Sequence, residues 1–164
     1  MKGFIKMKLK IYCDGATSNN GYKNSVGGWA YVILDENNEP LYCNSGHIEP
    51  STNNICELTA AIKGCKQATR ALTYFFRPGK YDEFEIYSDS AYLINCYTQG
   101  WWKKWVENNW INSKKEPVAN QELWEELIPY FLDKRFKFYK VKGHHGDKWN
   151  EYVDQLAVKA KEKK

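Results

Sequence analysis

A chain of 164 residues, 43% hydrophobic and 16% aromatic, has the size and apolar content of one domain with a single core; it carries no run long enough to span a membrane and no signal-like apolar stretch after Met1. Lys and Arg number 24 against 20 Asp and Glu, a net charge of only +4, and just three of the cations are arginine, so a bound nucleic acid would meet lysine point charges on its backbone rather than bidentate readers of base edges. The five cysteines are odd in number and form no C-x-x-C pair, which argues against a structural zinc site or a disulfide framework and fits a reducing cytosol.

Residues 9–15 (LKIYCDG) alternate as a strand that ends in an acid, Asp14. Residues 16–28 are rich in Ser, Asn and Gly and read as a turn into a second strand over 29–34. Asn37-Asn38-Glu39-Pro40 is a turn signal and 41–48 a third strand, so the first three strands form an antiparallel meander. Thr52, Asn53 and Asn54 offer N-caps to a helix with an apolar stripe of Ile55, Leu58, Ile62 and Cys65, running towards Thr69. Residues 74–82, punctuated by Pro78-Gly79, read as a loop.

Residues 84–90 (FEIYSDS) repeat the first pattern: Phe84, Ile86 and Ser88 share one face of a strand, and Glu85, Tyr87 and Asp89 the other. Short helices follow over 91–99, closed by Gly100, and over 101–109; 111–118 is a polar loop. Asn120 caps a helix carrying Leu123, Trp124, Leu127 and Ile128 and disturbed by Pro129. A last strand covers 136–141, and a turn over 142–147 leads to a helix with Trp149, Tyr152, Val153, Leu156 and Ala160 on one side. Strands first, then alternating helix and strand, predict an α/β domain with a mixed sheet of about five strands flanked by helices. No repeat or linker divides it, so one domain over 1–164 is expected, with 1–7 as an N-terminal extension.

If the strands ending in Asp14 and Asp89 lie side by side and parallel, both acids emerge from the carboxyl edge of the sheet, and they repel unless a positive charge sits between them. Glu57 is placed in the first turn of its helix, beside Asn54, Ala61 and Gly64, small neighbours that let the helix approach the sheet. Singly, each acid has a plainer reading: Asp14 as a turn residue, Asp89 as part of a helix cap, Glu57 as a helix-dipole acid. Asp154 falls opposite the apolar stripe of its helix and reads by periodicity as a solvated acid.

Together, the segments Ile11-Tyr12-Cys13-Asp14-Gly15, Thr52-Asn53-Asn54-Ile55-Cys56-Glu57-Leu58, Ile86-Tyr87-Ser88-Asp89-Ser90, Val141-Lys142-Gly143-His144-His145-Gly146 and Asn150-Glu151-Tyr152-Val153-Asp154-Gln155-Leu156-Ala157 resemble, in order and spacing, the signature segments of type 1 ribonuclease H. The resemblance implies a ribonuclease H-like fold and a cytoplasmic, monomeric endonuclease that cuts the RNA strand of an RNA–DNA hybrid without sequence specificity, leaving 5′-phosphate and 3′-hydroxyl ends. It implies that Asp14, Glu57, Asp89 and Asp154 hold two Mg²⁺ ions, for which Mn²⁺ can substitute, and that His144 assists proton transfer or product release. Hard carboxylate oxygens suit such ions.

On the substrate side the resemblance implies that Thr52 and Asn120 hold a DNA phosphate, that Asn53 and its neighbour Asn54 face the hybrid, and that Trp101 and Trp105, with Lys103 and Lys104, grip the DNA strand from a protrusion over 101–118. Trp102 and Trp110 are expected to pack between helices. Three departures from the commoner bacterial pattern loosen the grip: Ala91 stands where glutamine is frequent, Val106-Glu107-Asn108-Asn109 replaces a basic cluster, and the loop 17–25 lacks the usual Gly-Asn-Pro-Gly wording. Residues 134–148, with six cations against one acid, could compensate. No separate hybrid-binding domain is expected. The alternatives are a non-catalytic hybrid-binding module and a DNA integrase or resolvase on the same fold; the first gives no reason for four acids beside a histidine turn, and the second none for the Thr-Asn-Asn or tryptophan segments.

Overall fold

The computed structural model describes residues 7–75, 81–141 and 147–162, with side chains omitted for 7, 71–75, 81 and 82. Strand β1 (Met7–Ser18) pairs antiparallel with β2 (Val26–Leu34), and β2 antiparallel with β3 (Pro40–Ile48). Helix α1 (Asn53–Phe75) then crosses to β4 (Tyr81–Ser88), which lies parallel to β1 on its other side. Helices α2 (Ala91–Gln99), α3 (Trp101–Glu107) and α4 (Gln121–Leu132) precede β5 (Phe136–Lys140), parallel to β4, and α5 (Lys148–Glu162) closes the fold. The five strands stand in the order β3-β2-β1-β4-β5, so the mixed sheet expected from the pattern is present. Of the loop expected over 74–82, Tyr74 and Phe75 belong to α1 and Tyr81 and Asp82 to β4, while 76–80 lie outside the described residues.

Period-two alternation sorts β2 between two apolar layers. Trp29, Tyr31 and Ile33 join Leu9, Ile11, Phe84, Ile86, Phe136 and Phe138 in the core beneath α1, where Phe84 and Phe136, register partners, stack 4.3 Å apart. Ala30, Val32 and Leu34 face the other way, against Val153 and Ala157 of α5. The sheet is therefore covered on both faces along β1 and β2, which is why β2 is buried almost throughout while the edge strand β3 is exposed over its first half.

Two helix ends differ from the sequence reading. Thr52 does cap α1, its hydroxyl accepting from Ile55 N at 3.1 Å, but this start places Glu57 beyond the first turn, not within it. Asn120 stands at the N-cap of α4 in the left-handed region (φ 62°) without a side-chain cap bond, and its amide donates to the Tyr92 hydroxyl at 3.2 Å instead. Asparagine tolerates that backbone conformation better than most residues. Pro129 lies inside α4, which continues to Leu132. Among the described residues no helix is long and apolar enough to cross a membrane.

The seating of α5 depends on a missing side chain. A Cβ on Gly28 would overlap the Ala157 carbonyl oxygen and lie 2.5 Å from Lys161 N, so helix backbone rests directly on β2 there. Gly28→Ala is expected to cost ~1–3 kcal/mol, the usual penalty of overpacking against backbone that cannot yield, read as a lower urea midpoint with an unchanged slope. An unchanged midpoint would mean that α5 is not closely seated.

Candidate active site

The parallel register of β1 and β4 ends at Tyr12 and Tyr87, whose rings stack 4.8 Å apart. Two residues further along each chain stand Asp14 and Asp89, at the carboxyl edge of adjacent strands. Asp14 is buried (2% exposed), and its Oδ1 accepts from Gly15 N at 2.9 Å. Asp89 occupies the corner between β4 and α2. Ser88 Oγ accepts from Ser90 N at 3.0 Å, and Ser90 Oγ caps α2 by accepting from Leu93 N at 3.1 Å, so the capping falls to the serines and leaves the Asp89 carboxylate unspent on it.

Glu57 arrives from α1 because Gly15 lets the helix in: a Cβ there would lie 2.6 Å from Cys56 Cβ and 2.7 Å from Glu57 N. Gly64, further along α1, gives the same close approach over Ile11, where a Cβ would lie 2.7 Å from Cγ2. The result is a trio, Asp14, Glu57 and Asp89, whose carboxylate oxygens lie within 4.8 Å of one another. Asp154, exposed on α5, is not one of the trio but stands near enough to Asp14 to contribute to the rise of its pKa.

This arrangement is costly. Burial, and then the charges of Glu57 and Asp89, push Asp14 far above the usual carboxylate range. Burial also raises Glu57, Asp89 adds to it, and hydrogen bonds with Asp14 and the Gly15 N–H only partly oppose the rise. Glu57 Oε2 is buried with no hydrogen-bond partner among the described residues. A donor set of hard oxygens with one buried oxygen left unsatisfied fits a divalent cation such as Mg²⁺, whose charge would offset the repulsion.

The residues expected on the substrate side fall into two groups. Around the start of α1, Asn53 Oδ1 accepts from the Thr17 hydroxyl and its backbone N donates to Asn20 Oδ1 at 3.1 Å, which ties the end of β1 and the 19–25 loop to the helix, while Asn54 is exposed beside it. Around α3, Trp101 and Trp105 are half-buried with ring centroids 6.3 Å apart, and they line an open groove of about 730 Å³ with Lys104, Asn108 and Asn112. Lys103 and Lys104 are exposed, and Trp102 is buried as expected of a packing residue. The division among tryptophans is less clean than expected, since Trp105 also packs on Trp110 at 6.0 Å and on the buried Trp124 at 5.6 Å. His144 lies outside the described residues, as do the other residues of 142–146 from the turn expected over 142–147.

Tyr92 escapes sequence reading. Its hydroxyl accepts from Trp124 Nε1 at 3.1 Å and from the Asn120 amide, so it fixes the orientation of the residue that opens α4. A tyrosine in the first turn of a short helix carries no periodic signal that would mark this role.

The sequence matches the RNase H family model over residues 6–162. The chain belongs to the type 1 ribonuclease H family. It is 43% identical to the ribonuclease H of Syntrophomonas wolfei over 154 residues, covering 93% of this chain and 95% of that one, and 41% identical to the ribonuclease H of Caldanaerobacter subterraneus, covering 92% and 88%. The fold is that of a foamy viral protease–reverse transcriptase structure solved with double-stranded DNA (TM-score 0.78, 20% identity, 99% of both chains) and of LC11-RNase H1 solved with an RNA/DNA hybrid (TM-score 0.65, 24% identity, 93% and 96%). The chain is thus a ribonuclease H enzyme whose carboxylate trio sits at the paired ends of β1 and β4.

Because the trio is strained without a cation, removing one charge should stabilise the metal-free protein. A raised carboxyl pKa in the fold means that the native state holds more protons than the unfolded chain, so this contribution to stability falls as pH rises above the ordinary carboxylate range of ~4. Asp14→Asn is expected to unfold at higher denaturant than wild type in EDTA, with the gap widening from about pH 4 towards neutrality. An equal or lower midpoint at neutral pH would remove the repulsion argument.

Proposed function

We propose that this ribonuclease H hydrolyses the RNA strand of RNA–DNA hybrids endonucleolytically, leaving 5′-phosphate and 3′-hydroxyl ends, with Asp14, Glu57, Asp89 and Asp154 holding two Mg²⁺ ions or, in their place, Mn²⁺. The observation that carries this reading is a trio of carboxylates around buried Asp14, each offering an oxygen within 4.8 Å of the others, with Glu57 Oε2 unsatisfied, in a chain 43% identical to another ribonuclease H. When bound, the ions supply Lewis-acid polarisation of the scissile phosphate, activation of a water and stabilisation of the leaving oxygen. The protein supplies position. Two backbones in parallel register aim Asp14 and Asp89, Gly15 admits Glu57, and the Ser88–Ser90 corner keeps Asp89 out of the helix cap.

His144 moves a proton on the leaving or attacking oxygen, a role worth ~10²- to 10⁴-fold. Thr52 and Asn120 take a DNA phosphate, with Tyr92 holding the Asn120 amide. Asn53 and Asn54 face the hybrid, where the 2′-hydroxyl is the handle that separates RNA from DNA. Trp101 and Trp105 lie against sugars, and Lys103 and Lys104 against phosphates, from the 101–118 protrusion. The chain acts as a single catalytic domain, in the cytoplasm and as a monomer. With four cations against two acids between 101 and 117, its hold on the hybrid is weaker than that of a strongly basic relative.

The test is cleavage of labelled RNA in a hybrid, beside duplex DNA and duplex RNA, with Mg²⁺ or EDTA. Hybrid-specific, Mg²⁺-dependent cleavage that Asp89→Asn abolishes and His144→Ala only slows is expected. Cleavage by Asp89→Asn at the wild-type rate, or no hybrid cleavage by wild type, would overturn the reading.

A further inference from the structure

We infer that His47, at the end of β3, is a protonation-dependent clamp on the last turn of α5. Its two ring nitrogens both face acceptors. Nδ1 lies 3.1 Å from the Ala160 carbonyl oxygen and Nε2 lies 2.6 Å from Glu49 Oε2. A carbonyl cannot donate, and an ionised carboxylate cannot donate either. A neutral imidazole has one N–H, so in either tautomer one of these contacts sets a lone pair against an oxygen. The imidazolium alone satisfies both.

The geometry at α5 supports the same state. The helix ends at Glu162, and its last four carbonyls, Ala160 among them, have no partner within the helix. A cation donating to such a carbonyl also meets the negative end of the helix dipole. The ring is held in place, its side chain only 19% exposed, and β2 opposes it with Gly28, which brings no side chain to the contact. Among the described residues, the charged groups on the segments beside it are Glu49 on its own segment and, in the last turn of α5, Lys159, Lys161 and Glu162. The Glu49 hydrogen bond is the largest influence and raises His47 above its ordinary value of 6.5, with the Ala160 carbonyl acting in the same direction and partial burial against it.

Loss of the proton removes one specific contact. The charge-assisted bond to Glu49 is the stronger of the two, so the remaining N–H stays on Nε2 and the Ala160 bond is the one that breaks. With a folded-state pKa above the unfolded one, the contribution of His47 to stability is complete below about pH 6.5 and disappears as pH rises through the higher folded value. The helix affected is the one that carries Asp154, so the seating of that acid's helix acquires a pH dependence of its own. This inference is independent of the proposed reaction.

Two measurements test it on the full chain. The first follows the His47 ring by NMR against pH in wild type and in Glu49→Gln; a midpoint above 6.5 that falls in the variant is expected. The second compares thermal midpoints of wild type and His47→Ala from about pH 6 to about pH 9; the wild-type advantage should be largest at the acid end and shrink across the range. Packing lost in His47→Ala contributes at every pH, and the other two histidines titrate in both proteins, so only the change of the gap with pH reports the clamp. A His47 midpoint at or below 6.5, or a gap that does not vary with pH, would overturn the inference, and the NMR titration decides even if His47→Ala fails to fold.

Discussion

Carboxylates packed within a few ångströms of one another around a buried aspartate repel, and the rest of this structure is arranged to keep them there. Two ionised groups within 4.8 Å would cost at least about 3–4 kcal/mol in an effective dielectric of ~20, a large fraction of a small domain's net stability, which is one reason Asp14 holds its proton far above the usual carboxylate range. Asp14 and Asp89 cannot separate, because their strands are register partners in the middle of a sheet whose faces are packed. Glu57 cannot withdraw without lifting α1 off β1, and Gly15 and Gly64 are small so that it does not have to. Folding energy from the apolar layers is thereby converted into electrostatic strain at one edge, the condition under which a divalent cation binds tightly.

The same device, backbone laid directly on backbone at a glycine, recurs on the other face. Gly28 admits α5 to β2 as Gly15 admits α1 to β1. One contact brings Glu57 to the trio and the other seats the helix that carries Asp154 on the opposite face of the sheet. His47 adds a polar tether at the far end of α5, which makes the second of these contacts adjustable where the first is fixed.

Period-two alternation made the Asp14 and Asp89 strands legible, and the parallel register that unites them followed from one assumption about adjacency, which the sheet order bears out. The apolar stripe of α1 was equally plain. Glu57 was legible as a residue beside a small-residue flank but was placed a turn too early, since helix starts are read from caps that several polar residues in a row can supply. Asp154 could not be read from periodicity at all: it is exposed on α5, and only the packing of that helix on β1 and β2 brings it to Asp14. Likewise the Asn120 amide, expected in a cap, is turned to Tyr92 by a left-handed backbone that no propensity announces. What escaped in each case was a contact between elements distant in sequence. Only the family signatures pointed to Asp154, where periodicity did not.

A divalent cation bound among Asp14, Glu57 and Asp89 would relieve their mutual repulsion. A thermal melt against Mg²⁺ concentration addresses it without reference to catalysis, because a ligand that binds only the folded state raises stability as RT ln(1 + [L]/Kd). Wild type should show a midpoint that climbs with Mg²⁺, and Asp14→Asn a midpoint that begins higher and climbs little. A wild-type midpoint indifferent to Mg²⁺, or an equal rise in Asp14→Asn, would contradict the account.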